Sequence, residues 1–119
     1  MEKMIFNSRD ELLRINTDRI VYFEANGNYT TIVMTNKVKS SVRLNLCEME
    51  QELSKRLKAK SVIFARIGKR FIVNLNFVYQ IQPLKKRLIM TDCKNFTFSM
   101  EVSKDALKKL KDVILKLKY

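Results

Sequence analysis

The chain has 119 residues, 46% of them hydrophobic, which suits one compact domain and is too short for two ordinary ones. It carries 24 Lys and Arg against 12 Asp and Glu, a formal net charge of +12, as expected of a protein that meets a polyanion. With no histidine, scattered acidic residues and only two glycines, the composition argues against hydrolytic, metal-dependent and glycine-loop nucleotide chemistry.

The first third of the chain predicts a series of short strands. Residues 3–7 and 11–15 flank a polar stretch with the composition of a hairpin turn. Residues 20–25 are β-branched and aromatic, and residues 29–34 return as their partner strand. The Asn26-Gly27-Asn28 sequence between them favours a type I′ turn, because Asn-Gly tolerates positive φ. Residues 37–42 alternate loosely and complete the meander.

A helix is predicted over residues 45–58. Its apolar positions recur at three- and four-residue spacing, at Leu46, Met49, Leu53 and Leu57. Asn45 is a plausible N-cap, and Glu48 stands three residues later in capping-box position.

Residues 64–75 contain two strand-like apolar stretches separated by a cationic turn. Arg66, Lys69 and Arg70 crowd three positive charges around Gly68, which makes most sense if an anion meets the turn. Further strands are predicted over residues 71–75, 78–81, 87–90 and 95–100, with Pro83 separating the middle two.

Ser103 is predicted to cap a C-terminal helix over residues 104–118. Its apolar stripe packs on the sheet in the simpler interpretation, while a three-four seam also allows a short dimeric coiled coil. We therefore expect one domain over residues 1–119, mainly β with two accessory helices, the C-terminal helix being an extension. The stripe comprises Leu107, Leu110, Val113, Ile114 and Leu117.

Several kinds of site and location are excluded or disfavoured. Cys47 and Cys93 are far apart, and we expect reduced, partly buried thiols. We expect no enzyme activity, metal, cofactor or small-molecule substrate. No apolar run approaches the roughly 20 residues that span a bilayer, and the N-terminus lacks the features of a signal peptide, so a cytoplasmic location is expected.

Two motifs resemble the LytTR-type DNA-binding domain of bacterial transcription regulators. They are residues 18–32 (DRIVYFEANGNYTTI) and residues 64–75 (FARIGKRFIVNL), the latter followed by VYQI at 78–81. The resemblance runs from about residue 4 to residue 107. It implies an all-β core of short strands that binds duplex DNA by inserting loops into successive major grooves. Many such domains are output domains of two-component response regulators, and the sequence leaves open a free-standing regulator or a segment of a longer chain.

The resemblance also implies three DNA-contacting segments. The first is the turn at Asn26, Gly27, Asn28, Tyr29 and Thr30; the second is the turn at Arg66, Gly68, Lys69 and Arg70; the third is Val102, Ser103 and Lys104. The chain departs from the common family pattern at Gly68, where many members have His, and at Arg70, where many have Ser. The inherited base preference is therefore the least transferable property.

Each candidate residue also has a purely structural interpretation. Arg66 suits an ion pair with Glu24 as well as it suits a DNA contact, and Asn26-Gly27-Asn28 alone is only a hairpin turn. Asn74 is expected to be a buried, backbone-bonding amide. Five aromatic positions are expected to be core rather than stacking surface: Tyr22, Phe23, Phe64, Phe71 and Phe77.

The expected partner is duplex DNA at promoter sites, including direct repeats, bound by a homodimer. Asn28, Lys69 and Arg70 are the expected base readers, and the lysines and arginines of the later half are the expected phosphate contacts. The alternatives are a basic RNA-binding module and a module that lies on an anionic membrane surface.

Overall fold

The computed structural model describes residues 3–117 and is dominated by short strands. Within that range there are ten strands and two α-helices. The strands are β1 Lys3–Asn7, β2 Leu12–Asn16, β3 Ile20–Asn26, β4 Tyr29–Met34, β5 Lys39–Val42, β6 Phe64–Ile67, β7 Phe71–Asn74, β8 Val78–Gln82, β9 Arg87–Thr91 and β10 Thr97–Glu101. The helices are α1 Leu46–Leu57 and α2 Lys104–Lys116, and three short 3-10 turns cover Thr17–Arg19, Lys58–Ile63 and Leu75–Phe77.

The strands form three antiparallel sheets. The central sheet has five strands in the order β5-β4-β3-β7-β6, so β3 lies in the middle, between β4 and β7. A second sheet has the order β10-β9-β8, and β1 pairs with β2 as a separate hairpin. The expected β-rich architecture with two accessory helices is confirmed.

The two faces of the central sheet bury different hydrophobic clusters, because neighbouring residues of a strand point to opposite faces. Ile72 packs with α1 and the β1–β2 hairpin, whereas Phe71 and Val73 pack with the second sheet and α2. The same alternation separates Ile32 from Val33 in β4. The central strands are therefore covered on both faces, and functional groups are left to the ends of the strands.

Local signals placed both helices correctly. In α1 the Asn45 side chain accepts from the Glu48 amide at 2.9 Å, and Glu48 accepts from the Asn45 amide at 3.0 Å, which is the predicted capping box. The Ser103 hydroxyl caps α2 by accepting from the Ala106 amide at 3.3 Å. The four predicted apolar positions of α1 are all buried.

The apolar stripe of α2 is buried only over the first half of the helix. Leu107 and Leu110 are fully buried and Ile114 packs at the margin of the core, while Val113 and Leu117 are about two-fifths exposed. Ala106, which lies outside the predicted stripe, is also buried. Packing on the sheets therefore accounts for the first turns of α2. Residue 118, the predicted end of the helix, lies outside the described residues.

Strand boundaries differ from prediction where a turn needs an extra residue. The strand predicted over 37–42 begins at Lys39, because Lys37 adopts a positive φ of 71° in a turn closed by its amide on the Met34 carbonyl at 2.9 Å. The strand predicted over 11–15 lies one residue later, and the strand predicted over 95–100 begins at Thr97.

Two side-chain predictions have opposite outcomes. Asn74 is buried as expected, and its amide donates to the Ile20 carbonyl at 2.8 Å and accepts from the Asn76 amide at 2.9 Å. Cys47 and Cys93 are free thiols, but both are exposed rather than partly buried, since Cys47 lies on the outer face of α1 and Cys93 in the β9–β10 turn.

The five aromatic residues expected in the core all pack in one of the two clusters.

Among residues 3–117 no helix is both long enough and apolar enough to cross a membrane.

Candidate nucleic-acid interface

The two glycine-containing turns lie at the same end of the central sheet. Asn26 pairs with Tyr29 across the β3–β4 turn, and Ile67 pairs with Phe71 across the β6–β7 turn. Because β3 also pairs with β7, the Ala25 amide donates to the Arg70 carbonyl at 2.8 Å. The sheet register thereby places two segments that are some forty positions apart in the sequence side by side.

Arg70, in the β6–β7 turn, is positioned by a carboxylate and an aromatic ring. Arg70 is paired with Glu24 at 3.0 Å, and its guanidinium lies 5.0 Å from the centre of the Phe71 ring. Its side chain is still 63% exposed, so one Nη is committed while other N–H donors of the guanidinium remain available. This arrangement presents a positioned arginine to the solvent.

The predicted ion pair between Arg66 and Glu24 is wrong. Arg66 instead pairs with Glu50 of α1 at 3.2 Å, and its Nε donates to the Gly68 carbonyl at 3.0 Å. Strand register explains the exchange, since Glu24 is opposite Phe71 and therefore beside Arg70. With its side chain 27% exposed and two groups engaged, Arg66 braces the turn.

The third predicted segment meets the second in one groove. The groove has a volume of about 570 Å³ and is bordered by the β6–β7 turn, the β8–β9 turn and the start of α2. Its polar rim carries Lys69, Arg70, Lys86, Glu101 and Ser103. Lys104, the first residue of α2, is exposed beside the rim, and Lys69 is exposed within its turn.

The first predicted segment is divided by burial. Asn26, Gly27, Asn28 and Tyr29 are exposed, and Tyr29 retains 45% of its surface. Thr30 is fully buried, and its hydroxyl donates to the Leu44 carbonyl at 2.7 Å. Successive side chains of a strand point to opposite faces of the sheet. Because Tyr29 is exposed, the Thr30 side chain points to the other, buried face. The Thr30 side chain therefore braces the turn from below and has no exposed surface.

Two cations at this end of the molecule lie outside the three predicted contact segments. Arg43 follows β5 directly, and because Val42 pairs with Thr30 it lies beside Tyr29 and is exposed. Lys86 reaches the groove from the β8–β9 turn. The sequence run Lys85-Lys86-Arg87 after Pro83 could have indicated Lys86. The position of Arg43 could not be found in this way, because it depends on strand register.

Tyr22 is a buried titratable residue beneath the interface. Burial, reinforced by the nearby Glu24 carboxylate, raises the pKa of Tyr22, so its hydroxyl remains protonated. Among residues 3–117 no group of His, Cys, Asp and Glu side chains is arranged to hold a metal ion.

The fold and the surface together define the class of protein. It is a β-rich domain with two glycine-containing turns and a cationic groove at one end of the central sheet. The chain matches the family model of the LytTr DNA-binding domain over residues 10–115, and it therefore belongs to that family. A solved structure described as the LytTr DNA-binding domain of a methyl-accepting/DNA response regulator from Bacillus cereus is similar, with a TM-score of 0.65 and 18% identity. The similarity covers 96% of this chain and 97% of that one, and establishes the fold. Comparison with curated proteins finds no match.

Proposed function

We propose that the chain is a bacterial transcription regulator that binds duplex DNA sequence-specifically, by inserting its turns into successive major grooves. Membership of the LytTr DNA-binding domain family supports DNA as the partner. The observation that carries the mechanism is the grouping of exposed polar and cationic side chains of the β3–β4 turn, the β6–β7 turn and the groove at one end of the molecule.

The residues divide into base readers and phosphate contacts. Asn28, Lys69 and Arg70 are exposed at turn tips and carry the donors and acceptors that base edges recognise. Arg70 has N–H donors to spare beyond its Glu24 contact, and guanine O6 and N7 are the acceptors that a guanidinium fits best. Lysines of the later half, including Lys104, neutralise phosphates and make the affinity fall steeply with salt.

The decisive measurement is selection of bound duplexes from a random pool, followed by binding of the selected site. Replacing Arg70 by alanine should relax the preference at one base pair and cost about 1–3 kcal/mol on the selected site alone. Replacing Lys108 or Lys109, both exposed on α2, should weaken selected and random duplexes alike. Equal losses on both duplexes for Arg70→Ala would remove Arg70 from the base readers.

RNA and anionic membranes are the competing partners. Among residues 3–117 only Tyr29 and Tyr79 are exposed aromatics, which leaves little stacking surface for single-stranded RNA. Binding to duplex DNA, single-stranded RNA and anionic vesicles should be compared at physiological salt. Preference for either of the last two would overturn the proposal.

Promoter sites with direct repeats, occupied by two copies of the chain, are the arrangement that we propose on DNA. The half-exposed Val113 and Leu117 of α2 leave apolar surface beyond the core that a second copy could cover. The spacing of repeats in selected duplexes and the mass of the complex by light scattering test this directly. One copy per selected site would contradict it.

A further inference from the structure

We propose that the β8–β9 turn, residues 83–86, is a fourth DNA-contacting segment in which Lys86 neutralises a backbone phosphate. The inference rests on the proposed DNA binding and extends it to a segment that neither the motifs nor the family resemblance assigned. Two features of the turn carry the inference, and a third makes it testable.

The first feature is position. Lys86 borders the same groove as Lys69, Arg70 and Ser103, so it stands across from the proposed second and third contacts. The Val102 amide donates to the Lys86 carbonyl at 3.0 Å, which ties the turn to the segment that precedes α2. Lys86 therefore lies on the same surface as the two residues that the proposed duplex contacts, Arg70 and Ser103.

The second feature is charge that the protein itself leaves unpaired. Lys85, Lys86 and Arg87 are consecutive and exposed, and Arg87 is opposite Glu101 in the β9–β10 register. Within the described residues 3–117, neither Lys85 nor Lys86 forms an ion pair with a carboxylate. Like charges packed at one turn are more stable beside a polyanion than alone.

The third feature is the backbone at Lys86. Its φ is 54°, in the left-handed region, while its amide closes the turn on the Pro83 carbonyl at 3.1 Å. Glycine adopts this conformation without penalty, whereas a residue with a Cβ pays for it. Lys37 and Lys58 also have a positive φ, so this conformation does not assign a function to Lys86, but it makes glycine a substitution that the backbone accepts.

The same feature supplies a variant that removes the charge without threatening the fold. Lys86→Gly deletes one positive charge and suits the left-handed backbone. Lys37→Gly is the matched control, because Lys37 is also exposed, has a φ of 71° and lies in the β4–β5 turn at the opposite end of the central sheet. Both variants lose one charge from the same net +12.

Binding of each variant to the selected duplex and to a random duplex should be measured over a range of salt concentrations. Lys86→Gly should reduce the slope of log K against log salt by about 0.9 and weaken both duplexes by the same factor, about fivefold near 0.15 M salt. Lys37→Gly should leave the slope unchanged, and Lys86→Arg should restore it. Thermal unfolding should show Lys86→Gly to be at least as stable as the parent chain.

A Lys86→Gly slope equal to that of Lys37→Gly, or a loss confined to the selected duplex, would overturn the phosphate contact. Failure of the underlying function has a different signature, since the parent chain itself would then prefer RNA or anionic vesicles, or would bind duplex DNA without sequence preference. Retention of Lys86→Gly affinity alongside an Arg70→Ala loss would reject the fourth contact alone.

Discussion

The β3–β4 and β6–β7 turns each contain a glycine with a positive φ but differ in what surrounds that glycine. Gly27 and Gly68 have nearly the same φ, 62° and 63°, at the same end of the central sheet. A Cβ on Gly27 would meet nothing within 4 Å, whereas a Cβ on Gly68 would lie 3.5 Å from the Ala106 Cβ. The first turn is a free hairpin tip, and the second is one wall of a groove.

The difference shows that glycine sets the shape of a turn while its neighbours decide what the turn can bind. The β3–β4 turn offers neutral amides, which can read donors and acceptors without long-range attraction. The β6–β7 turn carries Lys69 and Arg70 and is braced by the ion pairs of Arg66 and Arg70. In the proposed complex, the first turn contributes selectivity and the second contributes both selectivity and affinity.

Alanine substitution of Gly27 and Gly68 has the largest expected effect on stability. It tests whether both turns depend on a positive φ at the glycine. Gly27→Ala and Gly68→Ala should each lower the free energy of unfolding by roughly 1–2 kcal/mol, because both place a Cβ at positive φ. The 3.5 Å approach to Ala106 is an ordinary contact and should add little at Gly68. Urea unfolding measures both changes. A much larger loss at Gly68 alone would show that the groove, rather than φ, constrains the second turn.

Removal of the two carboxylate partners has the next largest expected effect on stability. It shows which of the two ion pairs, Arg66–Glu50 or Arg70–Glu24, stabilises the β6–β7 turn more. Glu24→Gln and Glu50→Gln should each cost at most about 1 kcal/mol of stability, since both pairs are partly exposed. Glu50 is the more exposed carboxylate, at 50% against 32% for Glu24. The loss should nevertheless be greater for Glu50→Gln, because it leaves the less exposed arginine unpaired, Arg66 being 27% exposed against 63% for Arg70.

Salt provides the control for the ion-pair prediction. Both losses should shrink in 1 M salt, where exposed charge pairs are screened. Urea unfolding of the two variants at low and high salt gives the comparison. A greater, salt-independent loss for Glu24→Gln would mean that the Arg70 pair, despite its exposure, is the main brace of the turn.

The smallest effect concerns the β9–β10 turn, which contains no glycine and is held by Asp92 instead. Cys93 adopts a φ of 63° there, while Asp92 accepts from the backbone amides of Lys94, Asn95 and Phe96 at 2.9, 2.7 and 3.2 Å. Desolvation would raise the pKa of the Asp92 carboxyl, but these bonds and the Asn95 side chain outweigh it and lower the pKa below 3.8.

A folded-state pKa that is lowered means that the stabilisation by Asp92 is complete above the unfolded value of 3.8 and disappears as pH falls through the folded value. The stability difference between the parent chain and Asp92→Ala should therefore be constant from neutral pH to about pH 5 and shrink below pH 3.8. Urea unfolding across that range measures it, with Asp112→Ala as an exposed control. A difference that does not change with pH would contradict the role of the carboxylate.

Features that depend on residues close in the sequence could be predicted. The Asn45–Glu48 capping box and the Ser103 cap need only three or four neighbouring residues, and both were correct. The β3–β4 hairpin was also placed correctly, but of its two central residues only Gly27 has a positive φ, so the predicted type I′ turn, which needs two, was wrong. The partners of Arg66 and Arg70 could not be assigned, because the choice between Glu24 and Glu50 depends on strand register and on where α1 packs. The burial of the Thr30 side chain could not be predicted for a similar reason, since it depends on one step of strand alternation.

The sequence alone determined the two turn motifs, the family they indicate, the order of strands and helices and the excess of positive charge. Each of these is encoded in local spacing or in composition. Only the tertiary structure decided which charges stand together, because the groove forms where the β6–β7 turn, the β8–β9 turn and the start of α2 converge from distant parts of the chain. Lys86 entered the candidate interface in that way, whereas Arg43 entered it through the register of β4 with β5.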